Sequence, residues 1–86
     1  MGKVAVKIKL MPSDISINLE EIRYQAEKIM PDYAKIVRHE IIPVAFGLNA
    51  LLLTIIMPDQ SPDEVVEKLE KIEGVESLEV EEVGLI

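Results

Sequence analysis

The chain has 86 residues, a net charge of −7, 49 % hydrophobic and 3 % aromatic residues, and no cysteine. That length fits one small domain with one core, the missing thiols exclude disulfide staples, thiolate metal sites and cysteine nucleophiles, and the acidic balance opposes a phosphate backbone, so no direct nucleic-acid partner is expected. No apolar run approaches the roughly 18 residues that cross a bilayer, and Lys3, Lys7 and Lys9 interrupt any secretory leader, so the expectation is a cytoplasmic protein with no membrane partner.

In residues 3–10, Val4, Val6, Ile8 and Leu10 alternate with Ala5, Lys7 and Lys9. Period two predicts a strand with one buried face. Pro12 ends it, because proline has no N–H for the ladder. Asn18 then opens a helix, with Glu21 placed to complete a capping box. Leu19, Ile22, Ala26 and Ile29 form its apolar stripe, and Pro31 stops it. Residues 34–42 are rich in β-branched side chains but alternate poorly and run into Pro43, which predicts a second strand at a sheet edge. Residues 49–57 are the most apolar segment and suit a central strand. Ser61-Pro62-Asp63-Glu64 predicts a helix start, with Ser61 as N-cap, Pro62 at the first helical position and Glu64 at the capping-box position. Val65, Val66, Leu69 and Ile72 supply its stripe, and Gly74 stands where a left-handed C-terminal cap belongs. Val75, Leu78, Val80 and Val83, set among glutamates, mark a last strand that runs towards Ile86.

The order is βαββαβ. Two right-handed βαβ crossovers joined in this way give an α+β, ferredoxin-like sandwich. Its four-stranded antiparallel sheet has strand order 4-1-3-2, and both helices cover one face. A single domain over residues 1–86 is expected.

The chemistry-bearing residues are scattered. His39 falls on the expected edge strand, and a zinc site needs three or four ligands. Ser13, Ser16, Ser61 and Ser77 lie outside any nucleophile elbow and would have to share one histidine. Asp59, Asp63 and Glu64 gather at a helix start, where the macrodipole favours anions. The glutamates of the last strand are spaced for a wet face. Gly2, Gly47, Gly74 and Gly84 are isolated, so no glycine-rich loop cradles a phosphate. RNA-recognition motifs share the fold but need stacking aromatics on the central strands, which carry none here. No metal, cofactor or catalytic side chain is expected.

One segment resists a purely structural account. Pro43, Val44, Ala45, Phe46, Gly47 and Leu48 form an apolar connection where a hairpin is usually short and polar. It contains the single phenylalanine of the chain. Gly47 permits positive φ and can aim the ring. The ring either points outward as an anchor for a partner's pocket or folds back over the end of the core. A second hint is that Leu52 and Ile56 fall on the open sheet face, where exposed aliphatic groups suggest an interface.

This hexapeptide, after a βα unit and a second strand, resembles the signature loop of the elongation factor 1-beta family. The opening Met1-Gly2-Lys3-Val4, then Leu10-Met11-Pro12, and the late Gly74-Val75-Glu76-Ser77-Leu78-Glu79-Val80 are similar to its archaeal form. The resemblance spans essentially the whole chain. It implies a guanine-nucleotide exchange factor whose partner is elongation factor 1-alpha, in its GDP-bound or nucleotide-free state. It also implies that Phe46 enters a pocket on that GTPase. In eukaryotic members a lysine near the C-terminal end disturbs the partner's magnesium site. Here the matching end is Val83-Gly84-Leu85-Ile86, without a lysine, and Asn49-Ala50 stands where two lysines often follow the loop. Disturbance of the metal would then come from backbone and bulk at Leu85 and Ile86, or from repositioned elements of the GTPase. The alternative is an ACT-like small-ligand regulatory or adaptor module of the same fold. Against it, Met11-Pro12-Ser13-Asp14 replaces the glycine-rich turn that such a module carries after its first strand.

Overall fold

A computed structural model describes residues 2–86. Met1, where the expected domain and the opening motif begin, lies outside them. The elements are β1 (Lys3–Pro12), α1 (Leu19–Ile29), β2 (Lys35–Ala45), β3 (Leu48–Pro58), α2 (Asp63–Glu70) and β4 (Val75–Leu85). They form one antiparallel sheet of order β2-β3-β1-β4, the expected 4-1-3-2 read from the other edge. The fold is ferredoxin-like.

The alternation of β1 sets which face is buried. Val4, Val6, Ile8 and Leu10 are opposed by Met57, Ile55, Leu53 and Leu51 of β3, and all eight are at most 3 % exposed. Leu19, Ile22 and Ala26 of α1 and Val65 and Leu69 of α2 join the same cluster, so both helices cover one face. Each of the Val, Leu, Ile and Met side chains among them stabilises the fold by about 1.5–3 kcal/mol when withdrawn from water. Among the described residues no polar or charged residue is buried.

On the other face, Lys9 and Glu40 flank Leu52, while Ala5 and Lys35 flank Ile56. Leu52 and Ile56 are half-buried there rather than open. Lys7 and Lys9 reach Glu82 and Glu79 on β4 at 3.9 and 3.5 Å. This face is therefore a charged wall more than the apolar interface expected of it.

Asn18 caps α1 as its sequence predicts, with its Oδ1 accepting from the N–H groups of Glu20 and Glu21. The capping box is only half made: the Glu21 carboxylate takes the Gln25 amide instead, at 3.1 Å. α2 begins later than expected. Pro62 is its N-cap rather than its first helical residue, and Ser61 Oγ accepts from Asp63 N–H at 3.3 Å. Gly74 has φ +98°, but it follows a turn over residues 71–73 rather than the helix directly. A Cβ there would stand 3.2 Å from Ile17 Cγ2.

β2 is an edge strand, as its proline and poor alternation foretell. It does not stop at Ile42, however. It continues through Pro43, opposite Asn49, to Ala45, opposite Leu48. An edge tolerates the missing N–H of Pro43.

Candidate functional site

Because Ala45 and Leu48 are paired, the connection between β2 and β3 is only Phe46-Gly47. The apolar hexapeptide is thus the end of a tight hairpin, not a long loop. Pro43, Val44 and Ala45 close β2, the two-residue turn follows, and Leu48 opens β3. The register shift between Pro43 and Ala45 leaves Val44 as the extra residue of a bulge.

Phe46 has φ +52° and Gly47 φ +78°. Positive φ at both central residues is the signature of a type I′ turn, whose twist matches that of the flanking strands. Glycine, asparagine and aspartate accept that conformation easily; a bulky residue in the first position is an outlier. Such strain costs on the order of 1–3 kcal/mol. The ring recovers nothing from the core, because Phe46 is 103 % exposed, as open as in an extended peptide. Of the two orientations open at the level of sequence, the outward one is found. Val44 beside it is 43 % exposed. Pro43, Ala45 and Gly47 are also exposed, and Leu48 is half-buried.

Leu85 and Ile86 are likewise open, at 76 % and 73 %, but they lie elsewhere. Leu85 is opposite Val4, and Ile86 donates its N–H to the Lys3 carbonyl at 3.0 Å. Lys3 in turn opposes Pro58, at the far end of β3 from Leu48. Since β3 has 11 residues, about 3.3 Å each, the hairpin tip and the C-terminal pair are roughly 35 Å apart. The structure brings together the hairpin residues and leaves Leu85 and Ile86 at the opposite end of the sheet.

Ile15 stands outside every motif of the sequence. It lies in the β1–α1 loop and is 72 % exposed. The β1–α1 loop and the hairpin end share one small depression, lined by Pro12, Asp14, Ile15, Gly47, Leu48 and Asn49 among others. An isoleucine between two turn-forming residues, Asp14 and Ser16, is the signal that could have found it.

Away from these segments, Tyr33 and Arg23 join parts of the helical layer. Tyr33 O–H donates to the Glu64 carboxylate at 2.7 Å, tying the α1–β2 connection to α2. That hydrogen bond to Glu64 raises the Tyr33 pKa above its ordinary value. Arg23 lies between Glu20 and Glu27 along α1. His39 is exposed on β2. Among the described residues, no group of three or more His, Asp or Glu is arranged to hold a metal ion, and no helix is long and apolar enough to cross a membrane.

Comparison with known proteins shows the family. The sequence model of the EF-1 guanine nucleotide exchange domain matches residues 5–86. The elongation factor 1-beta of Natronomonas pharaonis is 44 % identical over 88 aligned residues, covering 100 % of both chains. That of Archaeoglobus fulgidus is 41 % identical over 88 residues, again covering 100 % of both. That of Staphylothermus marinus is 44 % identical over 61 residues, covering 71 % of this chain and 68 % of its own. Among solved structures, the C-terminal domain of the MgtC protein from Mycobacterium tuberculosis superposes with a TM-score of 0.55. It is 11 % identical and covers 100 % of this chain and 88 % of that one, a likeness of fold alone.

Proposed function

The chain belongs to the EF-1 guanine nucleotide exchange family, and from that membership we propose that it binds translation elongation factor 1-alpha and promotes release of GDP and loading of GTP. Residues 1–86 act as one exchange domain in the cytoplasm. The observation that carries this reading is Phe46, held fully exposed on a strained hairpin tip. A residue that gains nothing from its own fold and opposes its own backbone makes sense as an anchor for a partner's pocket. Pro43, Val44, Ala45, Gly47 and Leu48 form the stiff mount for that ring. Leu85 and Ile86 make a second contact at the other end of the sheet, so the factor lies lengthwise across the GTPase.

The activity is linkage rather than bond-making. The factor prefers the nucleotide-free GTPase, and reciprocity requires that nucleotide bind less well while the factor is docked. The phosphate and magnesium contacts are the ones to weaken, because they carry much of the charge-based affinity. GTP then enters and expels the factor. No acid, base or nucleophile of this chain is needed, and neither metal nor cofactor.

The test is release of a fluorescent GDP analogue from the purified cognate GTPase. Catalytic amounts of the protein accelerate it. Phe46→Ala lowers the second-order exchange constant by about thirtyfold or more, the scale of a hot-spot truncation, while circular dichroism shows the fold intact. A folded Phe46→Ala variant with full activity refutes the anchor.

A further inference from the structure

Ile15 stands exposed on a turn closed by hydrogen bonds. Asp14 Oδ1 accepts from Ser16 N–H at 2.7 Å, and the Asp14 carbonyl accepts from Ile17 N–H at 3.2 Å. Ser13 N–H donates to the Gly74 carbonyl at 2.9 Å, pinning the loop to the α2–β4 connection. The inward direction is taken by Ile17, which packs against the core and lies so close to Gly74 that a Cβ there would crowd it. An isolated exposed isoleucine on a mobile loop would mean little. Here the side chain is pre-organised, and it borders the same depression as Gly47, the neighbour of Phe46.

A specific interface covers about 800 Å² on each partner. The β1–α1 loop borders the hairpin end, so a partner surface seated on the Phe46 tip has Ile15 within its reach. We infer that Ile15 is a second apolar anchor of the docking end, received by the GTPase surface that receives Phe46. The inference rests on the reading of the hairpin tip as the docking end.

The experiment measures exchange kinetics and binding for the intact chain, Phe46→Ala and Ile15→Ser with the purified cognate GTPase. Ile15→Ser weakens binding about tenfold, the scale of one large aliphatic side chain left in water. Its melting temperature stays at that of the parent chain. In the isotope-labelled parent protein, the Ile15 methyl signals shift or broaden as the GTPase is added. If Phe46→Ala weakens binding while Ile15→Ser binds as the parent does and the Ile15 methyls are unmoved at saturation, the second anchor is overturned and the first stands. If Ile15→Ser weakens binding and Phe46→Ala does not, the ring is no anchor and the paired-anchor inference is overturned with it. If the Ile15 methyls broaden with concentration in the absence of GTPase, the occupant is a second copy of this chain and the inference is overturned.

Discussion

If Phe46 is the proposed anchor, affinity and stability oppose each other at one residue. Its φ of +52° is a conformation that asparagine adopts readily at the first central position of a type I′ turn. Phe46→Asn therefore relieves backbone strain of order 1 kcal/mol and removes no packing, since the ring touches no core. The variant should melt higher by about 4–8 °C, the shift that 1 kcal/mol produces in a domain of this size. In the exchange assay it should be as deficient as Phe46→Ala. Thermal unfolding followed by circular dichroism checks the first half. A variant that melts lower than the parent shows that the turn is not strained. Gly74 is a contrasting case: its positive φ serves packing, because a side chain there would meet Ile17.

At the scale of elements, the hairpin and α1 have separate tasks. The β2–β3 hairpin carries the ring on paired strands, so the tip moves with the sheet. α1 closes the core and, through its first turn, finishes the loop that holds Ile15. Its Asn18 cap satisfies two N–H groups that would otherwise lack partners. Asn18→Ala should lower stability by about 1 kcal/mol, read as a drop in melting temperature of about 4–8 °C. Exchange activity well below the transition should be unchanged, because Asn18 lies in the fold and outside the proposed contact. A melting temperature equal to the parent's would mean that the cap contributes nothing. The cross-strand pairs Lys7–Glu82 and Lys9–Glu79 lie at the surface, with Lys9 half-buried, and surface pairs typically add less than about 1 kcal/mol.

For the whole molecule, shape is the main consequence. The principal extents are 42 × 21 × 18 Å, with Phe46 and Ile86 at opposite ends of the long direction. If one end anchors and the other acts, the two can be separated by mutation. Removing Leu85 and Ile86, both exposed, should leave the melting temperature within a few degrees of the parent. Binding to the GTPase should stay within about threefold, while the maximal rate of GDP release at saturating factor falls roughly tenfold or more. Titrated exchange kinetics resolve the two quantities. Unchanged maximal rate in the shortened chain would leave the C-terminal end without a part in exchange.

How far the fold could be read in advance follows the range of the forces involved. The alternation of Val4, Val6, Ile8 and Leu10, the Asn18 cap, the apolar run of β3 and the prolines that punctuate the chain act within a few residues. They sufficed for element order, for β2 at an edge and for the ferredoxin-like sheet. The family resemblance lay in a contiguous hexapeptide and was equally legible. Tertiary structure alone decided the rest. The direction of Phe46 depends on the pairing of Ala45 with Leu48, which narrows the connection to two residues with positive φ. The start of α2 at Asp63 and the half-made capping box of α1 depend on which local partner each side chain finds. The approach of Ile15 to the hairpin, and the roughly 35 Å between Phe46 and Ile86, come from the strand order and register, which join segments far apart in the chain. Local chemistry specifies the pieces; only the assembled sheet says which exposed side chains share an end.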